Sequence, residues 1–141
     1  MPTPALNASV VSPKGRPPSN KQLTVFVTIQ VSPSDIEKFK EAHRPIWKKC
    51  SEEPECLFFD VFQDQEVKGR FRFVEIWNKS REWFEKEQMT KPYYEALWEK
   101  SKPLWTKDLQ VEYFEREGEG SVWSDEYLVG GRKMEKTEVV A

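Results

Sequence analysis

Arg70-Phe71-Arg72-Phe73-Val74-Glu75-Ile76-Trp77 alternates as a β-strand does, and it runs straight into Asn78-Lys79-Ser80 and a segment carrying Trp83 and Phe84. Side chains of a strand point alternately to its two faces, so Phe71, Phe73, Glu75 and Trp77 share one face. Three aromatic rings and one carboxylate then occupy a surface suited to cover by helices. A carboxylate in such a place is either held by a hydrogen-bonding partner or tuned for chemistry.

Working outward, residues 22–31 are β-branched and alternating, with Val25, Val27 and Ile29 opposite Thr24, Phe26 and Thr28, which predicts a first strand. Ser32-Pro33-Ser34-Asp35 is a helix start, and the helix stripe runs through Ile36, Phe39, His43, Ile46 or Trp47, and Cys50. Pro45 removes one intrahelical donor and is expected to kink or split this helix near residues 42–44. Residues 55–64 read as a second strand, with Leu57, Phe59 and Val61 alternating against Cys56, Phe58, Asp60 and Phe62. Both sets are largely apolar, so both sheet faces are expected to be buried. A polar link of hairpin length, residues 65–69, makes the Arg70 strand antiparallel to the second. Ser80 is placed to cap a helix reaching about residue 89, Pro92 to open another reaching about residue 105, and residues 109–116 form the last strand, with Leu109, Val111 and Tyr113 opposite Gln110, Glu112 and Phe114. The order β-α-β-β-α-β specifies an α+β ferredoxin-like unit, a four-stranded antiparallel sheet with helices on one face. The other face, apolar and uncovered by its own chain, calls for a second copy, most simply in a symmetric homodimer.

The chain of 141 residues thus divides into an N-terminal arm (1–20), one domain (21–116) and a C-terminal tail (117–141). The arm carries five prolines and little apolar surface and is expected to be disordered. The tail includes Trp123, Tyr127 and Leu128, which suits either docking on a partner subunit or a disordered tail with incidental aromatics. A net charge of −2 leaves no basic footprint for nucleic acid. No apolar run approaches membrane-spanning length and no apolar leader opens the chain, so a soluble, cytoplasmic protein is expected. Two cysteines and one histidine give no zinc pattern and no disulfide framework. There is no phosphate-binding glycine loop and no nucleophile elbow, so the expectation is a protein without metal, flavin or nicotinamide.

The candidate chemistry therefore rests on few groups. His43, on the inward stripe beside Pro45, has the ordinary pKa of a general base at neutral pH; the plainer role is a histidine bonded to a carbonyl freed by the proline. Burial among aromatics raises the pKa of Glu75, which then accepts or relays protons; the plainer role is a structural carboxylate. Tyr94 is a candidate oxyanion donor. Trp77, Phe73, Trp83, Trp47 and Trp98 are candidates to line a flat-walled pocket for a planar guest, against the plainer role of ordinary core.

Several motifs strengthen this reading: the proline-led helix start after the first strand, Glu53-Pro54-Glu55-Cys56 entering the second, Phe73-Val74-Glu75-Ile76-Trp77, the aromatic pair Trp83-Phe84, and Lys91-Pro92-Tyr93-Tyr94. Over residues 23–115 the chain resembles the antibiotic biosynthesis monooxygenase domain of the dimeric α+β barrel superfamily. Glu55 stands where many members have glycine. Heme-degrading members carry an Asn on the first strand and an axial His on a later helix; residues 22–31 hold no Asn and residues 80–105 no His, which argues against heme. Anthrone-oxidising members share the strand-three tryptophan, matched by Trp77, but have polar residues where Phe73 and Trp83 stand here. The resemblance implies a homodimer and a cofactor-independent oxygenase acting on an aromatic, polyketide-like anthrone or hydroquinone in secondary metabolism. Two alternatives use the same cage: a cofactor-free lyase, dehydratase or cyclase, and a non-catalytic binding or structural dimer module.

Overall fold

The computed structural model describes residues 22–134; the disordered arm expected over residues 1–20 lies outside them. Four strands, β1 (Leu23–Gln30), β2 (Cys56–Gln63), β3 (Arg70–Trp77) and β4 (Gln110–Glu115), form one antiparallel sheet in the order β2-β3-β1-β4. Helix α1 (Ile36–Glu52) follows β1 after a single 3-10 turn at Pro33–Asp35. Between β3 and β4 come a short α2 (Arg81–Trp83), a π turn (Phe84–Gln88) and α3 (Tyr93–Ser101). The Ser80 hydroxyl caps α2 by accepting from the Trp83 N–H at 3.1 Å, as its place before the aromatic pair suggests.

Register fixes which side chains meet. Val25 pairs with Glu75 and Tyr113, and Val27 with Phe73 and Val111, so the inner faces of β1, β3 and β4 are those the alternation predicts. The second strand departs from it. A bulge between Cys56 and Phe58 leaves Leu57 unpaired and exposed, and Cys56 rather than Leu57 joins Phe59 and Val61 on the inner face. Pro45 does not split α1. It lies on the exposed side, and the carbonyl four residues earlier belongs to exposed Glu41, where water can satisfy it.

The inner face carries the core. At one end Leu23, Val25, Cys56, Trp77 and Phe84 pack together; at the other Ile29, Val31, Phe39, Phe71 and Phe73 do. Ile46, Cys50, Tyr94 and Leu97 join α1 to α3. The outer face is covered only in part. Phe62 and Phe114 remain 45% and 56% exposed, and Phe114 meets Phe26 edge-on at 5.3 Å. In the tail, Tyr127 stacks on Phe58 of β2 at 6.3 Å and Met134 reaches the Leu23–Trp77 cluster, while Val122, Trp123 and Val129 stay exposed. No helix among the described residues is long and apolar enough to cross a membrane.

Candidate active site

Where the two ends of the core part, the sheet and helices leave a cavity of about 60 Å3, lined by His43, Trp47 and Cys50 of α1, Phe73 and Glu75 of β3, and Tyr94 and Trp98 of α3. Phe59, Met89, Leu97, Val111 and Tyr113 complete its apolar wall. The strand alternation and the α1 stripe bring Glu75 and His43 to it from opposite sides. A cavity this small holds water or a small group as it stands, so a tricyclic guest requires wall side chains to move.

Glu75 is 6% exposed, and its one hydrogen bond among the described residues comes from the indole N–H of Trp77 to Oε1 at 3.0 Å. Burial dominates and pushes its pKa up to about 7, while the Trp77 bond pulls it down. The carboxyl therefore titrates close to neutrality, where a base that must both take and give a proton works best.

His43 behaves otherwise. It is 1% exposed, its ring tilted against Phe39 at 4.5 Å, and its Nε2 lies 2.8 Å from the hydroxyl of fully buried Ser101. Trp105 Nε1–H donates to the same hydroxyl at 2.8 Å. Indole can only donate, so Ser101 accepts from Trp105, and its hydroxyl, with a second lone pair and one proton, pairs with either tautomer of a neutral His43. Burial holds the His43 pKa down to about 4. The carbonyl freed by Pro45 is not its partner. A neutral imidazole of such low basicity orients and polarises; it removes protons poorly.

Tyr94 lines the cavity with its hydroxyl already engaged. Gln88 Nε2 donates to it at 2.9 Å, and Cys50 Sγ stands 3.1 Å away. Gln88 also donates to Tyr93, whose hydroxyl donates to Glu53, itself paired with Lys91 at 2.8 Å. Burial pushes both the Tyr94 hydroxyl and the Cys50 thiol well above their ordinary ranges, so both stay protonated.

Of the side chains expected to line a pocket, Phe73, Trp47 and Trp98 do so. Trp77 and Trp83 do not. Trp77 is fully buried between Leu23, Cys56 and Phe84, with Trp83 packed behind it at 6.0 Å, because the helices close over that end of the sheet. Trp77 serves the site through its bond to Glu75. Ser101 escaped the sequence reading, although a serine on the stripe Tyr94, Leu97, Ser101 of α3 is a visible signal of a buried polar contact. The described residues contain no group of three or more His, Cys, Asp or Glu side chains placed to hold a metal ion.

Comparison with known proteins bears on the same domain. Residues 22–89 match the family model for antibiotic biosynthesis monooxygenase. A Pestalotiopsis microspora protein, named "Putative monooxygenase GME11364", is 28% identical over 94 residues, 67% of this chain and 78% of that protein. A solved structure titled as an antibiotic biosynthesis monooxygenase superposes with a TM-score of 0.59 at 25% identity, covering 65% of this chain and 95% of that one. The fold is also that of Rv0793 from Mycobacterium tuberculosis, with a TM-score of 0.61 at 17% identity over 71% and 99% of the two chains. Over residues 22–89 the chain is thus similar to the antibiotic biosynthesis monooxygenase family, and its fold is that of the solved structures given that description.

Proposed function

We propose that this protein is a cofactor-independent oxygenase of an aromatic, polyketide-like small molecule, an anthrone or hydroquinone of secondary metabolism, and that it works as a homodimer. The observation that carries the reading is Glu75: a carboxyl titrating near neutrality, in a cavity walled by Phe73, Trp47 and Trp98, within a domain similar to the monooxygenase family. Glu75 takes the acidic proton of the bound substrate. The resulting anion gives one electron to dioxygen, the two radicals combine to a peroxide anion that takes the proton back from Glu75, and loss of water from that hydroperoxide, with its remaining C–H proton, leaves the carbonyl of a quinone. One substrate CH2 and one O2 thus become one C=O and one water. The protein supplies deprotonation, orientation and exclusion of bulk water. In this reading His43, neutral and bonded to Ser101, and Tyr94, kept protonated, supply hydrogen bonds to oxygens of the guest.

Dimerisation is supported by the exposed rings of Phe62 and Phe114 on the outer sheet face, an apolar surface that a second copy would cover. The test of function is oxygen uptake with an anthrone such as emodin anthrone. Stoichiometric O2 consumption and quinone formation are expected. Turnover of the substrate without O2 consumption would instead assign the base and cavity to proton-transfer chemistry alone, a lyase or cyclase.

A further inference from the structure

Outside the cavity, a larger groove of about 680 Å3 runs between α1, the edge of β2 and the C-terminal tail, here an arm over residues 128–134. Trp47 and Phe59 line both spaces, so these two side chains form the partition between groove and cavity. The indole N–H of Trp47 is buried and has no acceptor among the described residues, an arrangement that costs free energy unless something supplies an oxygen. The groove floor is apolar and its rim is cationic: Arg44 and Lys48 from α1, Arg132 and Lys133 from the arm. Asp60 is the one carboxylate lining it among the described residues. Arg44 is paired with Glu37 at 3.0 Å and Lys48 with Glu52 at 2.6 Å, and Arg132 helps hold the Glu52 carboxyl below its usual range. Four cations thus face three carboxylates, in a chain whose net charge is −2. The two ion pairs are exposed and weak, so a ligand anion can displace them. The arm's contribution depends on Gly130, at φ 91°, where a side chain would be strained, and on the Gly131 N–H bonded to the Leu128 carbonyl at 2.8 Å, which turn the chain just before Arg132.

We infer that this groove is the entrance and anion-binding subsite of the cavity, and that the ligand class is a planar aromatic bearing a carboxylate: its acid group rests among Arg132, Lys133, Arg44 and Lys48, and its rings pass inward between Trp47 and Phe59. The inference rests on the functional reading above in taking the cavity as the destination. Charge sets the direction of entry. Glu75 at the inner end repels an acid group, while the rim attracts one, so the guest enters ring first. A ring carbonyl level with Trp47 supplies the acceptor that its N–H lacks.

The test compares two probes that differ only in charge, anthraquinone-2-carboxylate and anthraquinone-2-carboxamide, by titration calorimetry on the full chain. His43, the one histidine of the sequence, gives one imidazole Cε1–H signal that reports cavity occupancy by NMR. The carboxylate is expected to bind about tenfold more tightly, the worth of one charge-assisted hydrogen bond, and to move the His43 signal. The preference is expected to vanish in R132Q/K133Q and in high salt, with the variant's melting temperature unchanged. Equal affinities, a preference that survives both treatments, binding that leaves the His43 signal still, or no binding of either probe overturns the inference. Absence of oxygen uptake alongside an intact charge preference sinks the oxygenase reading and leaves the subsite standing; oxygen uptake without charge preference does the reverse.

Discussion

Trp77 donates its indole N–H to Oε1 of Glu75 at 3.0 Å, from the adjacent inward-facing position of the same strand. The bond joins the core end of the sheet to the cavity and opposes the upward push that burial gives the carboxyl. Removing the donor while keeping an aromatic ring, as in Trp77→Phe, leaves burial unopposed. The acid limb of the pH–rate profile, which follows ionisation of Glu75, is expected to move upward by about one pH unit. A limb that stays in place would show that another group is the base.

Glu75→Gln keeps an acceptor for Trp77 and removes the proton chemistry, and turnover is expected to fall by about 10²–10⁴-fold. The same variant tests linkage. The folded pKa of Glu75, about 7, lies above its ordinary value of 4.5, so the folded protein binds more protons than the unfolded chain in that interval. Its contribution to stability is fully present below pH 4.5 and is lost as pH rises through 7. Glu75→Gln is therefore expected to be more stable than wild type at pH 8, by on the order of 2–3 kcal/mol, and to lose that advantage at acid pH in paired denaturant titrations.

His43 has the opposite sign. Its folded pKa, about 4, lies below the ordinary 6.5, so the unfolded chain takes up the proton first and stability is lost as pH falls between these values. His43→Gln is expected to gain on wild type progressively over that window, in melting curves at matched pH. Ser101→Ala strips partners from both His43 and Trp105 and is expected to cost about 1–3 kcal/mol at neutral pH. Neither substitution is expected to shift the acid limb assigned to Glu75.

The uncovered sheet face gives a separate prediction. Phe114→Glu places a charge where a partner's apolar surface would sit, beside Phe26. In sedimentation equilibrium the wild type is expected to be dimeric at micromolar concentration and the variant monomeric, with the variant's circular dichroism unchanged. A monomeric wild type would remove the dimer from the proposal.

The legible parts of this chain were those written in a period. Alternation in β1, β3 and β4 gave the inner face residue by residue, and the α1 stripe brought His43 to the cavity. In β2 both alternating sets are apolar, so nothing in the sequence marks the one-residue bulge at Leu57 that exchanges faces. Trp77 had the right face and the wrong surroundings, since whether a strand end opens or closes depends on how far the helices extend over it. The ordering of the two titrating groups was illegible for a related reason. His43 takes its partner from 58 residues away, and the burial that dominates its titration is a property of packing alone.

One glycine connects backbone geometry to the position of Glu75. Gly69 closes the link between β2 and β3; its carbonyl accepts from the Val31 N–H at 2.8 Å, and its Cα faces the Val31 backbone so closely that an added Cβ would lie 1.8 Å from the Val31 oxygen. No side-chain rotation relieves a conflict between a Cβ and a carbonyl oxygen, so the backbone itself must move. That movement falls at Arg70, the first residue of the strand that carries Phe73, Glu75 and Trp77. Gly69→Ala is accordingly expected to lower stability by about 3 kcal/mol, the upper part of the range for overpacking. Because the register of β3 against β1 starts at Gln30 and Arg70, the same substitution is expected to disturb the Glu75 carboxyl, whose 13C signal should titrate away from its wild-type pKa. A Gly69→Ala variant that melts within about 2 °C of wild type, well inside the shift that 1 kcal/mol produces, would show that the close approach to Val31 does not constrain the strand.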